Sequence, residues 1–373
     1  GPVRTIASMV EGLGDDFDFR IVTLDRDIGG VEPYPGIDAD SWVPCGKAVV
    51  AYVSPRSFGL QKIAELVKTT PHDVIYLNSF FDPLFTQLVL VNHRLGRLSG
   101  RPIVIAPRGE FSEGALQFKF MKKKLFIELA KLLKLYDGLN WQGSSTQEVE
   151  DIRRVMAVGE KIPGNISAAG ILVSINQPIS ASEKFPLRSR RIGPLRVCFL
   201  SRISPMKNLD FALRVLAMVR VPVKFSIYGP IEDPRYWAKC QALISKLPAN
   251  VEVGYEGLVE PAKILPTLVE NELFLFPTRG ENFGHVIHEA LRAGLPVLIS
   301  DQTPWTRLAE KKVGWDLPLG DPESFASRIE EVAGWSDSEH RQWALRARQF
   351  AAEIANDPTT LEENRRLFID AIG

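Results

Sequence analysis

The amino-acid sequence predicts an α/β protein built from two Rossmann-like, doubly wound domains. Three observations carry that expectation. The 373 residues make room for two domains, at roughly 150 residues each. Short apolar runs alternate with longer amphipathic stretches in both halves, the pattern of parallel strands covered by helices on both faces. Between the halves, residues 178–194 combine Pro178, Pro186 and Pro194 with Arg188, Arg190 and Arg191 and show no periodicity, which is linker composition.

In the first half, residues 19–24, 48–53, 74–77 and 102–106 read as strands, and residues 2–13, 59–68, 82–98 and 113–136 as helices. The second half restarts the alternation, with strands expected at 195–200, 223–228, 251–253, 273–276 and 296–300. Helices are expected at 208–219, 234–247, 261–270, 283–293 and 304–310, followed by a helical tail over 339–372. The domain boundaries follow: 1–177, a linker at 178–194, then 195–350. Residues 351–373 form a C-terminal helix, with a return to the first domain as one option. The chain starts at Gly1-Pro2-Val3-Arg4 and runs at once into an apolar helical pattern, so it reads as lacking an opening strand. Two doubly wound domains are expected to face one another, with ligand at the carboxyl ends of their strands.

Composition removes several function classes. Forty-five Lys+Arg balance 45 Asp+Glu, whereas a dedicated nucleic-acid binder carries a basic excess. Cys45, Cys198 and Cys240 are too few and scattered for a disulfide framework and lack metal-ligand spacing. No uncharged run approaches the ~20 residues of a membrane span, and no signal-peptide core is evident. A cytoplasmic location is the resulting expectation.

The chemistry concentrates in the second half. The stretch PTRGENFGHVIHEALRAGLP, residues 277–296, ends a buried strand, crosses a polar turn and opens a helix whose free N–H groups would attract an anion. Taken singly, Glu281 would merely complement that helix dipole and Glu289 would be a surface acid. As a string, however, Pro277, Glu281, Phe283, Gly284, Glu289, Ala290, Gly294 and Pro296 resemble the signature of the retaining glycosyltransferases of family 4 (group 1), which have the GT-B fold. The resemblance implies that Glu281 faces the donor sugar, that Glu289 holds the nucleotide ribose, and that the turn through Asn282, Phe283, Gly284 and His285 touches sugar and phosphates.

Other segments fit the same resemblance. In LSRISPMKNL, residues 200–209, Arg202 and Lys207 would stabilise a leaving diphosphate; Ser201 stands where the family usually has Gly. Gly229, in IYGP, resembles the first glycine of a Gly-x-Gly turn beside the nucleotide, with Pro230 in place of the second. Leu258, in YEGLV, belongs to a segment lining the base. In the first half, APRGEFS (residues 106–112) resembles the acceptor-side loop, placing Arg108, Gly109 and Glu110 there; the His that many relatives carry near this turn is absent.

His285, His288 and Glu289 do not have the His-Glu-x-x-His zinc arrangement, and the resemblance calls for no metal and no cofactor beyond the nucleoside-diphosphate sugar donor. The lysine-rich helix beginning near Lys119, Lys122, Lys123 and Lys124 reads either as a solvated face or as a peripheral contact with anionic lipid. The implied activity is retaining transfer of a sugar to a glycan or lipid-linked acceptor, in cell-surface polysaccharide or glycoconjugate synthesis. A sugar-nucleotide epimerase and a non-catalytic sugar-nucleotide-binding protein are the alternatives.

Overall fold

A computed structural model describes residues 2–26, 30–55, 58–98, 100–117, 120–157, 165–169 and 193–373. Most of the linker stretch, residues 178–192, lies outside the described residues, as does Lys119. The chain divides into two compact units. The first comprises Gly1–Asn176 together with Asp357–Gly373, and the second Gln177–Asn356.

The second unit follows the sequence expectation most closely. Its strands are β8 (Leu195–Leu200), β9 (Val223–Tyr228), β10 (Val251–Gly257), β11 (Leu273–Phe276), β12 (Val297–Ser300) and β13 (Gly314–Leu317). They form one parallel sheet in the order β10-β9-β8-β11-β12-β13. All four residues of β11 and of β12 are buried, so each strand reads as a short continuous apolar run. Phe199, Phe225, Phe274 and Phe276 are fully buried here, each worth about 1.5–3 kcal/mol of transfer free energy. Strand order reverses between β8 and β11, which marks the position where doubly wound sheets bind ligands.

Among its described residues, the first unit holds two sheets. The strands β1 (Phe19–Leu24), β2 (Trp42–Cys45) and β3 (Ala48–Val53) pair in the order β1-β3-β2, with β1 parallel and β2 antiparallel to β3. The strands β4 (Ile75–Asn78), β5 (Ile103–Ala106), β6 (Asn140–Gly143) and β7 (Asn165–Ala168) form a parallel sheet in chain order. An aromatic cluster joins the two. Phe17, Phe19 and Tyr76 surround Phe368 at ring-centroid distances of 5.4, 6.1 and 5.7 Å. Phe368 belongs to the helix Pro358–Ile372, so the C-terminal segment completes the first unit's core. The helix before it, Asp337–Ala355, runs unbroken through residue 350, and the chain passes between units at Asp357.

Several elements differ from expectation. No helix forms over 304–310: Arg307 adopts a left-handed φ of 58°, and its N–H and that of Leu308 donate to Asp316, which holds a turn. The stretch 113–136 contains two helices, Glu113–Gln117 and Phe120–Leu132, and Lys134 at φ 52° ends the second. Residues 82–98 split into a π-helical turn, Pro83–Gln87, and the helix Leu88–Arg94. Among the described residues, no helix is long and apolar enough to cross a membrane.

Candidate functional site

The site assembles where the strand order of the second unit reverses. After β8 the chain makes a turn, a 3-10 segment at Pro205–Lys207, and then Asn208 in the left-handed region at φ 61°. Asn tolerates that conformation better than most residues, and here its amide is used twice. Asn208 Nδ2 donates to Pro277 O at 2.9 Å, while Arg279 Nε donates to Asn208 Oδ1 at 3.2 Å. The turn after β8 is thereby fastened to the turn after β11. The N–H of Arg279 donates to Met206 O at 2.9 Å, and Thr278 Oγ1 to the same carbonyl at 3.2 Å.

This fastening brings two charges together. Lys207 Nζ lies 2.5 Å from Glu281 Oε1, and the two side chains are only 12% and 14% exposed. The ammonium also sits over the Phe276 ring, 5.8 Å from its centroid. Glu281 is held from behind by its own N–H, which donates to Gln302 O at 3.2 Å. Ser300 Oγ donates to Thr278 O at 2.5 Å, tying in the end of β12. Two oppositely charged groups, each able to take a new polar partner, therefore face one another at the carboxyl edge of a parallel sheet.

Gly284 caps the helix His285–Ala293 with φ 79°; a Cβ there would lie 2.8 Å from Ile287 Cδ1. The first turn of this helix leaves N–H groups without intrahelical partners, which suits an anion. Phe283 packs on His285 and Trp305 at 5.0 and 5.2 Å, and Trp305 Nε1 donates to Phe283 O. Asn282 is half-buried, as is Glu289, whose Oε2 is shut off from solvent. His288 goes elsewhere. It is buried, its Nε2 is 2.9 Å from Ala351 O, and burial lowers its pKa, so the two histidines do not converge. Among the described residues, no group of three or more His, Cys, Asp or Glu could hold a metal ion.

Arg202 stands apart from the Lys207–Glu281 pair. It forms an exposed ion pair with Glu232 at 2.8 Å. Gly229, at φ 131°, is required by sterics: a Cβ would lie 1.9 Å from Ser201 O, so only glycine lets the β8 and β9 turns touch. The N–H of Ile203 donates to Pro230 O at 2.9 Å and extends the strand pairing into these turns. Leu258 follows β10 and is largely exposed.

In the first unit, Arg108, Gly109 and Glu110 follow β5. Arg108 and Gly109 have φ of 58° and 79°. Arg108 Nε donates to Asn78 Oδ1 at 2.8 Å and its Nη2 to Tyr76 OH, whose pKa burial pushes up to about 12. Gly109 N donates to Glu148 at 2.5 Å. Glu110 accepts from Phe80 N, Ser79 Oγ and Phe81 N at 2.5, 2.9 and 3.1 Å; burial nevertheless pushes its carboxyl above the ordinary range. Farther along, Lys122 and Lys124 are exposed, whereas Lys123 donates to Ala115 O at 2.7 Å and covers the Phe81 ring.

Residues 184–350 match the sequence model of the family described as glycosyl transferases group 1. The match takes in the whole sheet of the second unit. A D-inositol 3-phosphate glycosyltransferase of Jonesia denitrificans is 29% identical over 180 residues, which take up 44% of this chain and 41% of that protein. The chain thus spans less than half the length of that relative. Among solved structures, the Anabaena protein HepE in complex with UDP and glucose superposes with a TM-score of 0.63 at 18% identity, covering 86% of this chain and 85% of HepE. Sucrose-phosphate synthase from Thermosynechococcus elongatus gives 0.70 at 15% identity, covering 99% and 93%. The fold is GT-B. The segment matched by the family model contains both Lys207 and Glu281.

Asn208, Thr278, Ser300 and Trp305 fasten these turns without carrying charge and lie outside the residues the sequence singled out. Asn208 left a trace: it follows Lys207 where the resemblance accepts Gly or Asn, the residues that reach a left-handed φ. Ser300 and Trp305 leave none, because their partners are main-chain carbonyls, and Thr278 leaves none because its partners, Met206 O, Gly280 O and Glu281 Oε1, meet only in the folded turn.

Proposed function

We propose that this chain transfers a sugar from a nucleoside-diphosphate sugar to a hydroxyl acceptor with retention of configuration, as the family 4 enzymes it resembles do. The Lys207–Glu281 pair at the strand-order reversal carries the reading. Before donor arrives, ammonium and carboxylate satisfy each other. A bound donor would separate them: its diphosphate takes Lys207, and its sugar hydroxyls donate to Glu281. One ion pair is exchanged for two sets of charge-assisted hydrogen bonds, so the half-buried charges are never left without a partner.

The bond between the anomeric carbon and the diphosphate oxygen then breaks, and an acceptor oxygen attacks on the same face. The acceptor's proton passes to the departing phosphate. Lys207 and the helix start at Gly284 count toward rate to the extent that they strengthen as charge grows on that oxygen. Arg202 joins them by leaving Glu232; an exposed pair is worth about 0–1 kcal/mol, so the switch is cheap. Asn282, Phe283 and His285 border the sugar and phosphates, Glu289 takes the ribose, and Gly229 and Leu258 lie toward the nucleotide. UDP is favoured as the nucleotide by the HepE complex, and the first unit, through Arg108, Gly109 and Glu110, supplies acceptor surface. The acceptor is a glycan or a lipid-linked sugar of the cell surface.

Glu281→Gln and Lys207→Ala should each lose about 100-fold or more in transfer while keeping a native circular-dichroism spectrum. Product analysis by NMR with donor and acceptor extracts provides the readout. Near-normal turnover in either variant removes the site assignment, and isomerised donor without glycoside would point to an epimerase instead.

A further inference from the structure

The N–H groups at the start of the helix His285–Ala293 can serve an anion only if the turn before them is held, and Gly284 works against that. Its φ of 79° favours glycine, and glycine rotates at little cost. The peptide unit joining Phe283 to Gly284 is therefore free to turn over unless something grips it. Its carbonyl and N–H point in opposite directions, so a grip on one aims the other. Among the described residues, the Gly284 N–H meets no acceptor. The Phe283 carbonyl, by contrast, accepts from Trp305 Nε1.

Trp305 is itself fixed from several sides. It is 5% exposed, and its ring meets Phe283 at 5.2 Å, His288 at 6.2 Å and Phe350 at 6.2 Å. Its main-chain N–H donates to Thr303 Oγ1 at 3.2 Å. Just beyond it, the N–H groups of Arg307 and Leu308 are tied to Asp316, which keeps this segment a turn. The indole is thereby anchored by the helix His285–Ala293, the helix Asp337–Ala355 and β13. A donor already immobilised in this way gives up little further entropy in holding a carbonyl.

We infer that Trp305 is a positioning residue for the donor's distal phosphate. Its indole holds the Phe283 carbonyl, and this aims the Gly284 N–H the other way, at the phosphate next to the sugar. The choice of phosphate rests on the donor reading above, in which Glu281 faces the sugar. A Cβ on Gly284 would lie 3.5 Å from Glu281 Cγ, so the peptide and the sugar are neighbours. A peptide N–H aimed in advance costs no reorganisation as negative charge grows on that phosphate. Trp305 acts through the peptide and needs no contact with the donor. A tryptophan that only filled the core would leave the discrimination between one phosphate and two untouched.

Calorimetry on the full chain separates the two roles. UDP, GDP and ADP are titrated first, and the tightest of them is compared with its own monophosphate. Trp305→Phe keeps an aromatic ring and loses the donor. It should bind the diphosphate about tenfold more weakly, and the monophosphate within about twofold of the native chain. Trp305→Met removes the donor by a second route and should give the same split. Phe350→Leu loosens the packing behind the indole and leaves its N–H in place. There the melting temperature should fall while the ratio of the two affinities stays native. Equal loss of both nucleotides in the Trp305 variants, loss of neither, or a selective loss in Phe350→Leu overturns the proposal and leaves the donor reading standing. A native chain that binds none of the three diphosphates takes away the donor reading and this assignment with it.

Discussion

The turns after β8 and β11 and the loop after β5 occupy equivalent places, the carboxyl ends of parallel strands, and use similar residues to different ends. In the second unit, Lys207 and Glu281 are bound to each other. In the first, Arg108 is held by Asn78 and Tyr76, and Glu110 by Ser79 and two main-chain N–H groups. A charge paired mainly with another charge can be handed to a ligand that brings both an anion and hydroxyls. A carboxylate that closes backbone N–H groups cannot leave without stranding them. Similar polar residues at similar sheet edges thus divide into an exchangeable pair and a brace.

UDP binding and stability measured in the same variants should separate the two arrangements most strongly. Lys207→Ala should weaken UDP by about tenfold to a hundredfold, the range of a hydrogen bond to a charged group, measured by calorimetry. Glu110→Ala should leave UDP affinity unchanged and cost about 1–3 kcal/mol in urea unfolding, because Phe80 and Phe81 lose their acceptor. The reverse pattern would dissolve the distinction.

A smaller effect separates the two uses of Asn208. Asn208→Gly keeps the left-handed turn, whereas Asn208→Ala must hold it against a steric penalty of about 1–2 kcal/mol. Both lose the amide contacts to Pro277 and Arg279, so the difference between them in unfolding free energy isolates the backbone. Equal stabilities would show that the turn is set by the side chain alone.

The weakest expected signal is in pH. Burial raises the Glu110 carboxyl above its ordinary 4.5, so above that pH the unfolded chain releases a proton that the folded chain still keeps. Glu110's contribution to stability is therefore greatest below about pH 4.5 and declines as pH rises through the folded value. Glu110→Gln should flatten that decline in unfolding free energies collected between pH 4 and 7; an unchanged profile would place the titration elsewhere.

How much of this was legible follows from what each element is made of. The strands β8 and β9 are mostly apolar and β11 wholly so, and all three coincide with their expected spans. Glu281 stood out because a long string of residues surrounds it, and Lys207 because its shorter segment fits the same resemblance. By contrast, β6 is Asn-Trp-Gln-Gly, whose polar positions hide a central strand; Gln142 is buried and donates to Ala169 O at 3.0 Å. The turn at 304–310 looked helical because its side-chain pattern carries no sign of the distant Asp316 carboxylate that captures two of its N–H groups. Local pattern reveals burial, whereas hydrogen bonds made across the fold leave almost no trace in it.

The return of the last helix to the first unit reverses the order of folding relative to synthesis. Leu367 and Phe368 are buried there, and Asn364 accepts from Gln142 at 3.4 Å. The ribosome delivers the strands β1–β7 early yet withholds the helix that closes them until some 180 further residues have been made. The second unit is contiguous and can complete itself first, domain by domain, as chains do during synthesis. A nascent chain stalled before Pro358 therefore presents a finished second unit together with an open, aromatic-lined first unit, and that intermediate is the form a chaperone would meet.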